Sequence, residues 1–273
     1  ITDAKLAELK IMEANQKVQD SINYAKRIQN SILPKQIVLS EAFAKSFMIF
    51  LPKDVVSGDF PFIVRKDNFV YFAAVDCTGH GVPGALLSVI GSLILNEIIK
   101  YNTPTASEML DDLHQSVVKT LRQGEEGGEN ERDGMDVGMC RLNMETGEFM
   151  YSGAHRPLYI VRHDQKPNEE LEEIKGDKYP IGGVQYRGRE KFSNFETILK
   201  PGDRVYVCSD GYPDQFGGDD GEKKIGPKKI RKMLVDHKDK SINGVHDELM
   251  SFFNEWKGSQ HQMDDVLFIG IEF

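Results

Sequence analysis

From residue 2 to residue 33 the chain has no glycine and no proline, and apolar side chains return every three or four positions: Ala4, Ala7, Ile11, Ala14, Val18, Ala25, Ile28 and Ile32. Ser21 is the one polar residue on that seam. The spacing predicts a long helix with an a/d stripe, closed by Pro34, whose ring and missing N–H stop helix propagation. The stripe either pairs with a second copy in a parallel coiled coil or lies along the chain's own domain, and its small alanines keep the seam weak.

Beyond Pro34 the period changes to short β-like runs at residues 47–51, 60–65 and 70–75, separated by Gly, Asp and Asn. Helices are expected over 84–100 and 105–122, the second opened by a Thr105/Ser107 cap ahead of Glu108. A Gly/Glu-rich loop follows at 123–134, then strands at 137–143, 148–152, 158–162, 204–208 and 266–273, with helices at 227–236 and 242–256. Strands in runs and helices in pairs favour antiparallel sheets covered by helices over a doubly wound parallel sheet, an α+β fold. The expected division is a linker or dimerisation helix at 1–34 and one catalytic domain at 35–273.

A formal net charge of -9 argues against a phosphate-backbone binder, so nucleic acid is not an expected partner. The apolar stretch 82–99 is broken by Ser88, Gly91, Ser92, Asn96 and Glu97, and reads as a buried helix in preference to a membrane span. Cys77, Cys140 and Cys208 match neither a zinc motif nor a disulfide framework, which suggests a reducing, cytoplasmic setting. The chain opens on Ile1 without a signal-peptide pattern, and reads as a piece of something longer, such as the cytoplasmic end of a sensor.

Asp59, Asp76, Asp210 and Asp264 share one local setting, each at a strand edge beside a glycine turn or another Asp. A single Asp of this kind more often caps a turn. Jointly, carboxylates converging from strand ends repel unless cations neutralise them or protons are retained, and oxygen-only donors select Mg²⁺ or Mn²⁺ over zinc.

The blocks Val56-Ser57-Gly58-Asp59-Phe60, Asp76-Cys77-Thr78-Gly79-His80-Gly81-Val82-Pro83-Gly84-Ala85, Ser209-Asp210-Gly211-Tyr212 and Asp264-Asp265 resemble, in order and spacing, the signature of the PPM or type 2C protein phosphatases, most closely their SpoIIE/RsbU-like bacterial branch. The resemblance implies an αββα four-layer sandwich of two antiparallel sheets flanked by helix pairs, with metal between the sheets. It implies a metal-dependent serine/threonine protein phosphatase using two Mn²⁺ or Mg²⁺ ions, and a phosphorylated bacterial signalling regulator as substrate and partner. By position, Asp76 touches both ions, with the Cys77 backbone carbonyl on one, and Asp210 and Asp264 hold one. Asp59 acts on the other through water, and Asp265 orients Asp264. Asp76 and Asp210 are the expected catalytic pair. Asp133 or Asp136 is offered as a ligand of a third ion.

The remaining candidates are weaker. His80 is a general acid or substrate contact, or a residue that merely packs in its turn; Lys53 is a phosphate contact or an exposed lysine. A Cys77/His80 nucleophile and base would make a cysteine hydrolase instead. The basic run Lys223, Lys224, Lys228, Lys229, Arg231 and Lys232 is a docking patch or a solvated helix face. No counterpart of the phosphate-binding arginine of eukaryotic members is apparent. Pro61 and Pro213 stand where Tyr and Ile are expected, and suggest local rearrangement or lowered activity. The competing function is a catalytically weak, phosphoprotein-binding scaffold of the same fold.

Overall fold

Strands that are apolar on both faces must be covered on both faces, and this requirement sets the layering. The computed structural model describes residues 3–124, 132–164, 171–183, 191–218 and 221–273; much of the expected loop at 123–134 lies outside them. One sheet runs β1 (Ser46–Leu51), β13 (Val266–Glu272), β10 (Arg204–Cys208), β6 (Leu158–Val161), β7 (Glu172–Ile174). The other runs β2 (Phe60–Lys66), β3 (Phe69–Cys77), β4 (Gly134–Asn143), β5 (Glu148–Ala154), β9 (Phe195–Ile198), with β8 (Ile181–Gly182) beside β4. Pairing within both sheets is antiparallel.

Period-two alternation then sorts side chains into three cores. Val70, Phe72 and Ala74 of β3 meet Leu267, Ile269 and Ile271 of β13 between the sheets. The opposite face of β3, with Tyr71, Ala73 and Val75, packs under α3 (Gly81–Tyr101) and α4 (Ala106–Thr120). Tyr206 and Cys208 of β10 and Phe268 of β13 pack under α6 (Gly226–Asp236) and α7 (Ile242–Lys257). Helix pair, sheet, sheet, helix pair is the expected four-layer sandwich.

α1 (Asp3–Ile32) precedes it, and its stripe is open: Ile11 and Val18 are 61% and 58% exposed. Its final turn differs, because Gln29 is buried against the domain. α3 is long and apolar enough to cross a membrane by length and composition. It lies instead as a layer over β2 and β3, with Gly84, Leu87, Gly91, Leu95 and Ile99 buried. α3 starts three residues earlier than expected, since Pro83 falls in the first turn, where a missing N–H costs nothing. Of the Thr105/Ser107 pair expected to open α4, Thr105 is the cap, in a capping box with Glu108.

α2 (Gln36–Ala42) was not expected; seven residues without a side-chain cap leave too little periodicity to see. Neither proline rearranges its surroundings. Pro61 sits on β2, an edge strand, where a ladder donor is dispensable, and Pro213 falls in the first turn of the short helix α5 (Gly211–Asp214).

Candidate active site

The acidic residues arrive on four chain segments. Asp59 immediately precedes β2, Asp76 is the last residue but one of β3, Asp210 follows β10 as the cap of α5, and Asp264 and Asp265 precede β13. Register adds another: Asp76 lies directly opposite Asp136 on β4. Like charges facing each other across a ladder are destabilising, so this pair calls for a cation.

Close backbone packing assembles the segments. A Cβ on Gly58 would lie 2.6 Å from the Gly79 carbonyl oxygen and 3.4 Å from that of Cys77, and one on Gly84 would lie 2.3 Å from the same Gly79 oxygen. The Ser-Gly-Asp turn and the turn after Asp76 therefore touch where only glycine fits. The Thr78 N–H donates to the Gly134 carbonyl at 2.9 Å, tying that turn to the start of β4. Asp265 does not orient Asp264 through its carboxylate. Its two oxygens accept from the Lys53 and Gly58 N–H groups, both at 2.7 Å, clasping the Asp59 segment to β13, while its own N–H donates to Asp264 Oδ1 at 2.8 Å.

The electrostatics report the crowding. Burial, reinforced by Asp210, pushes the Asp76 carboxyl up to about 8 against the pull of Arg156. Burial and then Asp76 raise Asp59 well above the usual carboxylate range, and burial raises Asp264 as well. Asp59 Oδ2 is buried without a hydrogen-bond partner. Among the described residues the carboxylates do not close into a preformed cage. An orphaned buried oxygen, opposed carboxylates and an all-oxygen donor set nevertheless fit hard divalent cations such as Mg²⁺ or Mn²⁺.

Arg156, which sequence reasoning passed over, is the cation now inside the cluster. Its Nη2 donates to Asp136 Oδ2 at 2.5 Å and to Asp210 Oδ2 at 3.1 Å, and Nη1 lies 3.9 Å from Asp76 Oδ2. The preceding His155 holds Asp136 Oδ1 through Nδ1 at 2.9 Å and adopts a positive φ of 58°, the left-handed region that few residues other than glycine enter. Neither a lone Arg nor a lone His has a sequence period. The only available signal was their place, directly after the buried strand β5.

Other candidates lie apart. His80 is half-exposed and paired with Asp54 at 2.7 Å. Lys53 contributes its backbone to Asp265, and its ammonium acts on Asp264. Asp133 offers its carbonyl to Gln123, and only Asp136 of the two faces Asp76. The Cys77 thiol is buried and burial pushes its pKa well up, the opposite of what a nucleophile needs, which removes the cysteine-hydrolase reading. The basic run is partly neutralised: Lys224 pairs with Asp214, Arg231 with Glu173, and Lys229 lies over the Trp256 ring. A cavity of about 410 Å³ adjoins the cluster, lined by Arg156, Pro157, Tyr159, Lys175, Ser209 and Pro213 among others.

Comparison with known proteins agrees with this geometry. Residues 66–273 match the family model Stage II sporulation protein E (SpoIIE). The phosphoserine phosphatase RsbU of Bacillus subtilis is 25% identical over 198 residues, 72% of this chain and 54% of RsbU, so the chain spans about half that relative's length. The SiaA-PP2C domain of Pseudomonas aeruginosa superposes with a TM-score of 0.82 at 28% identity, covering 95% of this chain and 98% of that one. The phosphatase domain of SpoIIE from Bacillus subtilis, with a fragment of its regulatory domain, gives 0.64 at 16% identity over 84% of this chain and 61% of that one. With the αββα layers and the Asp59, Asp76, Asp210 and Asp264 blocks in place, the chain belongs to the SpoIIE family, in the PP2C-type branch its motifs resemble.

Proposed function

We propose that this chain is a metal-dependent serine/threonine protein phosphatase domain, residues 35–273, acting on a phosphoserine or phosphothreonine of a cytoplasmic bacterial signalling regulator. One observation carries the reading: Asp76 stands opposite Asp136 with Asp59, Asp210 and Asp264 in electrostatic contact, leaving a buried carboxylate oxygen without a partner. RsbX, a chain of the same fold at 15% identity and a TM-score of 0.56, was crystallised in complex with magnesium. Two Mn²⁺ or Mg²⁺ ions supply, when bound, an activated water and neutralising charge for an in-line displacement. Asp76, Asp210, Asp264 and the Cys77 carbonyl are the proposed ligands, with Asp59 acting through water and Asp136, more than Asp133, available to a third ion. Asp265 fixes the Asp59 loop. The cavity beside Arg156 receives the substrate chain, with Lys53 and His80 at the margin as weaker contacts.

The test is hydrolysis of a phosphoserine peptide and of p-nitrophenyl phosphate, titrated with Mn²⁺ and then with excess EDTA. Turnover that appears with Mn²⁺ and vanishes with EDTA is expected. Metal binding without turnover would instead favour the scaffold, and full activity in EDTA would exclude the mechanism.

Control from upstream enters through α1, whose open stripe suits a parallel homodimer, since apolar burial stabilises by about 25 cal/mol per Å². The last turn of α1 reaches both halves of the site through one side chain. Gln29 Nε2 donates to the Ser57 carbonyl at 2.6 Å and to Ser88 Oγ at 2.9 Å, and the Ser57 N–H donates back to Gln29 Oε1 at 3.2 Å. Ser57 precedes Gly58-Asp59, and Ser88 lies on α3 just beyond the Asp76 turn. Gln29→Ala strands buried polar groups, and is expected to cost about 1 to 3 kcal/mol. It is also expected to shift the Mn²⁺ half-saturation of the intact chain about fivefold or more, toward that of a truncation starting at Gln36. Sedimentation of the intact chain with Ile11→Asp and Val18→Asp tests the dimer. Unchanged metal response in Gln29→Ala, or a monomeric intact chain, would remove the control reading.

A further inference from the structure

We infer that Arg156 is the internal counter-cation of the acidic cluster and sets its affinity for divalent metal, by competing with incoming ions for Asp76, Asp136 and Asp210. This rests on the metal-dependent reading above and goes beyond it by naming what the ions must displace.

An arginine that merely pins two strands would be expected to engage one carboxylate bidentately. Arg156 instead reaches three carboxylates from three segments: Asp136 on β4 at 2.5 Å, Asp210 at the cap of α5 at 3.1 Å, and Asp76 at the end of β3 at 3.9 Å. It does so at a cost, because its Nε is buried with no hydrogen-bond partner. Two hydrogen bonds and the charge of a third carboxylate hold it there. The guanidinium thus lies between Asp76 and Asp210, two of the residues proposed to hold ions.

A divalent ion at Asp76 or Asp210 meets a fixed positive charge a few ångströms away, and in a half-buried site such repulsion is weakly screened. The guanidinium must therefore yield Asp210 and Asp76 as the ions load. Two features let it do so. Asp136 is additionally held by His155 Nδ1 at 2.9 Å, so it does not depend on the arginine for its orientation. Arg156 also lines the cavity of about 410 Å³, which has room for the displaced side chain. The main chain stays put meanwhile: the Arg156 N–H donates to the Ala154 carbonyl at 2.7 Å, and the Arg156 carbonyl accepts the Tyr151 hydroxyl.

The test is Mn²⁺ binding to the intact chain at low ionic strength and pH 8, by calorimetry or by the electron paramagnetic resonance of free Mn²⁺, with no turnover required. Arg156→Met keeps the apolar stem and removes the charge; Arg156→Lys keeps a charge that cannot span three carboxylates. Arg156→Met is expected to bind Mn²⁺ about tenfold or more tightly than the parent, with Arg156→Lys between them. The gain should shrink as salt is added. Near-ultraviolet circular dichroism of each variant checks that it is folded. An affinity that is unchanged or weaker in folded Arg156→Met would overturn the inference while leaving the metal site standing. Equal metal affinity combined with selective loss of inorganic phosphate binding would also overturn it, and would make Arg156 a phosphoryl ligand. Absence of any Mn²⁺ binding in the parent, or binding that survives Asp76→Asn, would overturn the metal reading itself.

Discussion

Asp76→Asn is expected to lower Mn²⁺-dependent phosphoserine-peptide hydrolysis by about 10³-fold or more, the order seen when a preorganised electrostatic element is lost at a reacting centre. Asp76 is the residue with most to lose. It lies near the end of β3 directly opposite Asp136, and its carboxylate is in electrostatic contact with Asp210, Arg156 and Asp264. Asparagine is nearly isosteric and keeps one oxygen, so the turn to Gly79 should survive while the charge that holds the ions does not. Asp210→Asn is expected to behave similarly, because Asp210 exerts the largest charge effect on Asp76. Asp133→Asn is the contrast, expected within about twofold of the parent as an ordinary surface-type change, since Asp133 engages Gln123 through its backbone. Initial rates over a Mn²⁺ series, with thermal melts confirming folding, decide the matter. A folded Asp76→Asn protein retaining a tenth of the parent rate at saturating Mn²⁺ would refute the assigned role.

How far the sequence could be read depended on whether the cause was periodic. β3 was visible because both its faces are buried, giving an unbroken apolar run that ends in Asp76. The Thr105–Glu108 box was visible because capping is a local exchange of hydrogen bonds. The Asp59, Asp76, Asp210 and Asp264 blocks were visible because each couples an acid to a tight turn. β9 and β7 were missed: both are short, and alternate too briefly to stand out. Asp265 was assigned to its sequence neighbour, which its N–H does hold, but its carboxylate clasps Lys53 and Gly58, more than 200 positions away in sequence. Arg156 was missed for the same reason, since its value lies in three partners that only the sheets bring near. Pro61 and Pro213 looked disruptive in a linear reading, and an edge strand and a helix first turn accommodate both in the fold.

In EDTA, the protein is expected to lose stability as pH rises from 5.5 to 8.5. Asp76 has a folded value of about 8, raised by burial, then Asp210, against an unfolded value near 4. The folded state therefore binds more protons than the unfolded state between those values. The stability this contributes is complete below the unfolded pKa and is lost progressively until the folded one is passed. Asp59 and Asp264 are raised as well and act with the same sign. Carboxylates held low, such as Asp203, anchored by hydrogen bonds from Lys200, His163 and Arg162 against the cost of burial, work in the opposite direction. Their window lies below about pH 4 and does not reach the range tested. Across about 2.5 pH units Asp76 alone accounts for about 3 kcal/mol, which for a chain of this size is a fall of roughly 6 to 12 °C in melting temperature. Asp76→Asn removes one of these titrating groups and should make the profile shallower, leaving this inactive variant more stable than its parent at pH 8 without metal. Saturating Mn²⁺ should restore the parent at pH 8 by binding the ionised cluster, and should do much less for Asp76→Asn. Melting curves of both proteins at pH 5.5, 7 and 8.5, with EDTA and with Mn²⁺, separate these cases. A parent whose metal-free melting temperature is flat or rises over that range would show that the cluster is neutralised by something other than protons and metal.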